Sequence, residues 1–388
     1  MKVALLGTRG VPAHYGGFET CAEEVSRGLA DRGHAVTVYC RYGNAPGNPT
    51  SHDGVALRYV RHVDRKALGT LTHTFNATLD ATRRDMDVLL YFNAANALPA
   101  LFAKFLRRAP VVLNVDGLDW KRRKWGWVAR TYYQFAEWLS TKVADRIVTD
   151  SRAIQAYYQQ RWNAPSTFIP YGAHVEGPAA PGLLKEFGLE PDSYFLTISR
   201  LEPENNADVT LQAFSQVATE KKLVIVGAGS YGSEYSTRLT QTTDPRVLFT
   251  GPVYDPARVR ELYCGAFAYV HGNEVGGTNP ALLRAMGHGN CVLAISVPYN
   301  AEVVGDSALL YRKEPGDLAA QMRRVLGDPD LVRRLRNAAR DRVRTAYRWD
   351  EVVAAYERLL SQVVAGAYRD RPPSDLGVKL PEEETVTG

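Results

Sequence analysis

A chain of 388 residues, 45% hydrophobic and 23% charged, has the composition of a globular protein long enough for two cored domains, which excludes a disordered or fibrous polypeptide. Its net charge of +5 is a mild excess that suits an anionic ligand or a membrane surface and is too diffuse to argue for nucleic acid. Cys21, Cys40, Cys264 and Cys291 lie far apart without a C-x-x-C pair, which favours reduced thiols over disulfides or zinc. The first apolar run, VALLG, is too short for a signal peptide, and no window of about 18 uncharged apolar residues exists. A cytoplasmic chain with no transmembrane helix is expected.

Residues 3–6 read as a buried strand, followed by the loop GTRGVPAHYGGFET, a helix over 21–32 and a strand over 35–39. The loop lacks the G-x-G-x-x-G spacing of a dinucleotide site, so a nicotinamide enzyme is disfavoured. Gly16–Gly17 lets backbone approach a substrate closely, or merely makes the loop flexible. Strands over 55–60, 88–92, 110–115, 146–149 and 167–170 then alternate with helices over 71–84, 97–107, 125–144 and from the Ser151 cap to about residue 161. Residues 171–192, rich in Gly and Pro, read as a linker. A second series follows, with strands over 194–199, 223–227, 247–250, 266–270 and 291–295. Its helices run over 207–218, 235–240, 257–264, 317–326, 331–347 and 351–365. This alternation predicts an α/β fold of two doubly wound parallel sheets facing a cleft at the carboxyl ends of their strands. The polar tail over 369–388 is expected to be disordered.

The candidate chemistry clusters just after strands. HGNEVGGTNPALLRAMGHG, beginning at His271, passes from strand to helix through Gly276, Gly277, Thr278 and Asn279, with Pro280 where a first helical turn tolerates a missing N–H. Such a turn suits a phosphate, although an ordinary tight turn has the same composition. Arg200 follows YFLTIS and is placed to clamp a diphosphate, or to pair with Glu202 or Glu204. Glu274 can accept from sugar hydroxyls. Asp116 in NVDGLDW is a polar contact for a sugar or simply a turn residue, and Asn93 and Asn96 after LLYF are of the same kind. Trp120 opens WKRRKWGWVAR, whose aromatics and cations suit an anionic bilayer interface or a helix with a basic wet face. Asp85-Met86-Asp87 and Asp328-Pro329-Asp330 lie at the wrong end of a sheet and in a helix turn. No metal and no cofactor are expected.

These motifs, GTRGVPAHYGGFET, NVDGLDWKRRKW, TDSRAI, IPYGA, SRLEPENN and HGNEVGGTNPALL, resemble in order and spacing the retaining GT-B glycosyltransferases of family four. The resemblance is closer to the bacterial rhamnosyltransferase-like enzymes of cell-surface polysaccharide synthesis. It implies an N-terminal Rossmann-like acceptor domain over 1–172, a linker over 173–192, a nucleotide-sugar domain over 193–347 and a helix over 348–366 that returns to the first domain. It implies Arg200, Glu274 and Asp116 as catalytic residues. Gly16, Gly17, Asn205, Val253, Tyr254, Gly276, Gly277, Thr278 and Arg284 join Arg200 and Glu274 around the donor, with Asn93, Asn96, Asp116 and Trp120 on the acceptor side. The implied partners are a nucleotide-diphosphate sugar, a lipid-pyrophosphate-linked saccharide and the inner face of the cell membrane. Asn205 replaces the family's usual diphosphate lysine. Arg284 stands where the family has a glutamate that accepts from the ribose diol, which an arginine cannot do. A deoxyribose donor such as dTDP-rhamnose loses less by that change. An epimerase or a non-catalytic sugar-nucleotide-binding subunit are the rival readings.

Overall fold

The computed structural model describes residues 1–13, 16–64, 69–107, 110–115, 117–122, 125–229 and 234–366. The chain divides into two compact units, Met1–Tyr171 with Trp349–Gly388, and Gly172–Arg348. The tail over 369–388 lies outside the described residues.

The first unit runs β1 (Lys2–Leu6), α1 (Gly17–Asp31), β2 (Ala35–Arg41), β3 (Ser51–His52), β4 (Val55–Val60), α2 (Gly69–Thr82), β5 (Val88–Phe92), α3 (Ala97–Arg107), β6 (Val111–Asn114), α4 (Trp127–Val143), β7 (Arg146–Thr149), α5 (Arg152–Trp162) and β8 (Thr167–Phe168). Its eight strands form one sheet in the order β3-β4-β2-β1-β5-β6-β7-β8. Every pairing is parallel except the β3–β4 hairpin. Helices cover both faces of the sheet, so central strands such as VLLYF are buried along their whole length. Strand β3 has no hydrophobic signal. It exists because Asp53 and Gly54 both take positive φ, as a tight hairpin requires.

The second unit runs β9 (Tyr194–Ile198), α6 (Ala207–Ser215), β10 (Lys222–Val226), α7 (Glu234–Thr240), β11 (Val247–Gly251), α8 (Pro256–Cys264), β12 (Ala268–His271), α9 (Pro280–Gly287), β13 (Cys291–Ile295), α10 (Pro298–Val304), β14 (Ala308–Tyr311), α11 (Pro315–Gly327) and α12 (Pro329–Ala346). Its sheet is all parallel, in the order β11-β10-β9-β12-β13-β14. Strand β14 is half-exposed and, with α10, goes unread in the sequence because neither carries a full apolar period.

The last helix, α13 (Trp349–Val364), belongs to the first unit and lies on α1. Gly28 allows that approach, since a Cβ there would come within 2.6 Å of Val353. Asn114 Nδ2 donates to the buried Tyr356 hydroxyl at 2.7 Å, tying α13 to the end of β6.

On α4, Glu137 is buried and accepts a hydrogen bond from Tyr157 Oη at 3.0 Å. Loss of hydration dominates, and pushes its carboxyl up to about 7. The folded state therefore holds this proton more tightly than the unfolded chain does. Its contribution to stability falls as pH rises from the ordinary carboxylate range towards 7. Glu137→Gln, which keeps the shape without the charge, is expected to raise stability at pH 8 by about 2–3 kcal/mol and to change little at pH 5. Urea melts of both proteins at the two pH values check this. An equal effect at both would contradict it.

Candidate functional site

The winding of each sheet reverses once, between β1 and β5 in the first unit and between β9 and β12 in the second. Loops leaving the carboxyl ends of such a strand pair diverge and leave a crevice, where ligands bind in doubly wound folds. In the second unit those loops carry Arg200 and the 272–279 turn.

Arg200 sits just beyond β9 and is partly exposed. Its loop is fixed through the backbone: Leu201 N donates to Ala228 O at 3.0 Å, Glu202 N to Arg200 O at 2.9 Å, and Asn205 Nδ2 to Arg200 O at 2.7 Å. Asn205 is itself buried. Its side chain braces the arginine's own peptide. Gly227 makes the bend possible with φ +143, and a Cβ there would collide with Ser199 O.

The Arg200 loop is bonded directly to the loop after β12. Asn206 Nδ2 donates to Gly272 O at 2.9 Å, and Glu274 N donates to Glu204 O at 3.0 Å. A Cβ on Gly272 would collide with Asn205 O, so the two backbones touch there. Asn206 and Gly272, 66 positions apart in the chain, thus meet at one end of the sheet. Gly276 takes φ +150, and Gly277 and Thr278 are buried. Asn279 caps α9, its side chain accepting from Ala281 N at 2.9 Å, and Pro280 occupies the first turn. The positive end of the α9 dipole therefore faces the same crevice as the Arg200 loop.

Glu274 is held by a residue that the sequence reading missed. Lys313 Nζ donates to both of its carboxylate oxygens at 2.7 Å, and Tyr299 Oη donates to its carbonyl. Lys313 follows β14, and the only available signal was the short run ALLY ahead of it. His271, which ends β12, is buried with neither ring nitrogen hydrogen-bonded, and desolvation lowers its pKa to about 3. It is a neutral ring at physiological pH, not a second cation.

The remaining donor candidates sit further out. Val253 and Tyr254 follow β11, the edge strand, and Tyr254 is exposed next to the Asp255 cap of α8. Arg284 is on the exposed side of α9, whose buried side is Leu282, Leu283, Ala285 and Met286.

In the first unit, α1 begins at Gly17, earlier than the sequence periodicity implies, with Gly16 as its cap at φ +121. Asn93, in the left-handed region at φ 72, accepts from Ala95 N at 2.8 Å and donates to Asp119 Oδ2 at 3.1 Å. Asn96 is fully buried, donating to Phe92 O at 2.7 Å and Gly7 O at 3.3 Å. Its side chain ties the β1 and β5 ends together. Trp120 is partly buried against the core. Asp116 lies outside the described residues. The acids of the two Asp-x-Asp pairs are engaged locally: Asp87 and Asp85 with Lys2, Asp328 as the α12 cap, and Asp330 with Arg333.

Residues 192–328 match the family model described as Glycosyl transferases group 1, and residues 1–174 match one described as a domain of unknown function, DUF1972. The chain is similar to N-acetyl-alpha-D-glucosaminyl L-malate synthase of Bacillus anthracis, 29% identical over 192 residues (47% of this chain and 49% of that protein). It is also similar to O-antigen chain mannosyltransferase B of Escherichia coli, 27% identical over 189 residues (47% and 45%). The chain spans about half the length of these curated relatives. Among solved structures it resembles sucrose-phosphate synthase from Thermosynechococcus elongatus at TM-score 0.78 and 18% identity, covering 94% of this chain and 99% of that one. It resembles Anabaena HepE in complex with UDP-glucose at TM-score 0.74 and 18% identity, covering 93% and 100%. The chain therefore has the GT-B fold, and residues 192–328 of its second unit match the model of the group 1 glycosyl transferases.

Proposed function

We propose that this protein is a retaining glycosyltransferase, moving a hexose from a nucleotide-diphosphate sugar to a lipid-pyrophosphate-linked saccharide in cell-surface polysaccharide synthesis. L-Rhamnose from dTDP-rhamnose is the preferred donor. The observation that carries the reading is the hydrogen-bonded junction of the Arg200 loop with the 272–274 loop at the switch point of the second sheet. That junction brings the Arg200 backbone and the α9 N-terminus to one end of the sheet, which supports a role for the Arg200 guanidinium where negative charge develops on a departing diphosphate. The UDP-glucose complex of the Anabaena neighbour supports a nucleotide-sugar donor. The O-antigen mannosyltransferase supports a surface-glycan product.

In the proposed reaction the acceptor hydroxyl attacks the anomeric carbon on the face from which the diphosphate leaves. The carbon–oxygen bond to the diphosphate breaks, and the departing phosphate oxygen takes the acceptor proton. Configuration is retained. Arg200 and the amides at Gly276, Gly277 and Thr278 stabilise the leaving charge without a metal, and the Glu274 carboxylate, oriented by Lys313, accepts from the sugar hydroxyls. Incubation of the purified chain with a panel of nucleotide sugars and a lipid-pyrophosphate saccharide tests the proposal by product detection. Nucleotide-sugar binding without transfer from any donor would favour the second reading, a non-catalytic binding subunit, which Arg284 motivates.

Arg284→Glu probes the donor directly. A glutamate restores an acceptor for a 2′-hydroxyl, so it is expected to improve kcat/KM for UDP-sugars about tenfold and to leave dTDP-sugars little changed. Parallel kinetics with both donors check this. An equal change with each would remove Arg284 from nucleotide recognition.

A further inference from the structure

Helix α3 is inside out. Ala97, Ala100 and Ala103, at a spacing of three, face the core, while Leu98, Phe102 and Phe105, at spacings of four and three, face solvent. Phe105 is 79% exposed. An amphipathic helix on a globular core ordinarily does the reverse, with its large apolar side chains buried. Helix α4 continues the pattern, with Trp127, Val128, Phe135 and Trp138 all exposed. Between α2 and α3 lies an apolar cavity of ≈ 440 Å³, lined by Leu71, Phe75, Leu98 and Phe102 with Arg61 and His62 among its polar residues. Exposed apolar side chains in this number on two helices that pack together mark an interaction site.

Charge identifies the partner. Residues 97–138 contain eight Lys or Arg and three acids, an excess equal to the whole chain's +5, so the remainder of the sequence is neutral. The excess that looked diffuse in the composition is local. Among the described residues, Asp119 and Arg122 pair with each other at 2.6 Å, Lys104 pairs with Asp145 at 3.1 Å and Glu137 is buried, while Lys121 and Arg130 are exposed. Cations beside outward aromatics fit a bilayer interface containing anionic lipid. A second copy of this chain would bring the same positive face and be repelled. No described helix is long and apolar enough to cross a membrane, so the contact lies on the surface.

We infer that the outward face of α3 and α4 docks this protein on an anionic phospholipid bilayer, with Phe102 and Phe105 inserted among the acyl chains and the α2–α3 cavity open to one of them. The inference rests on the lipid-linked-acceptor reading for its purpose and deepens it by naming the surface.

Flotation of the full chain with phosphatidylcholine vesicles, with and without phosphatidylglycerol, tests it in the absence of donor and acceptor. The wild type is expected to float with the anionic vesicles. The double variant F102S/F105S, altered only at exposed positions, is expected to lose binding at least about tenfold while melting as the wild type does. The double variant K121E/R130E is expected to lose binding to anionic vesicles only, in a salt-dependent way. Vesicle binding unchanged in F102S/F105S would overturn the inference, as would a wild-type dimer that this variant converts to a monomer without any vesicle binding. Transfer to a water-soluble acceptor analogue separates the two readings. Transfer without flotation sinks only the docking surface, and flotation without transfer from any donor sinks only the transferase.

Discussion

Arg200→Ala is expected to lower turnover at least ~100-fold, the scale seen when a preorganised donor to a developing negative charge is removed. The argument is geometric. The arginine's peptide is braced by Asn205 from within its loop and tied by Leu201 N to Ala228 on the neighbouring strand's loop. Its backbone is therefore a fixed base at the end of the sheet where α9 also begins. A preorganised cation stabilises the departing diphosphate more than the intact donor, so the loss is expected mainly in kcat. Because Arg200 is partly exposed, the folded structure is expected to survive the change with little shift in melting temperature. Steady-state kinetics with a saturating donor check this. Turnover at the wild-type rate would remove Arg200 from the reaction.

The second large effect is expected at a residue with no chemistry of its own. Gly227→Ala introduces a Cβ that collides with Ser199 O, at a φ of +143 that side-chain-bearing residues rarely adopt. The colliding atom is backbone, so no side chain can swing aside. Overpacking and backbone strain together are expected to cost about 2–5 kcal/mol. The displacement acts on Ser199 and Arg200, so turnover is expected to fall as well. Denaturant melts give the first effect and kinetics on the surviving folded protein give the second. A midpoint equal to the wild type's would show that the bend between β10 and its loop tolerates a side chain.

Much of this architecture was legible from periodicity. Buried strands of parallel sheets are continuous apolar runs, so VALL, VLLYF, VVLN, YFLTI and CVLAI identify themselves. What escaped was fixed by neighbours rather than by pattern. Strand β3 is two polar residues held by a turn, and β14 is a half-exposed edge. Missing β14 also hid Lys313, because nothing in the sequence places it beside Glu274 without that strand. Asn96 and Asn205 make structural bonds that the sequence does not announce. An asparagine after a strand looks like a ligand contact, but a buried carbonyl left by a tight loop needs a donor as well. Here Phe92 and Arg200 supply those carbonyls. Helix α3 reads in sequence as an ordinary apolar helix. Only the structure shows that its alanines, not its phenylalanines, face inward.

Hydrogen–deuterium exchange with and without a nucleoside diphosphate tests the phosphate-gripping crevice most directly. The account predicts slowed exchange in peptides spanning 199–206 and 272–283 when dTDP or UDP is bound. Protection confined to other segments, with these two unchanged, would contradict it.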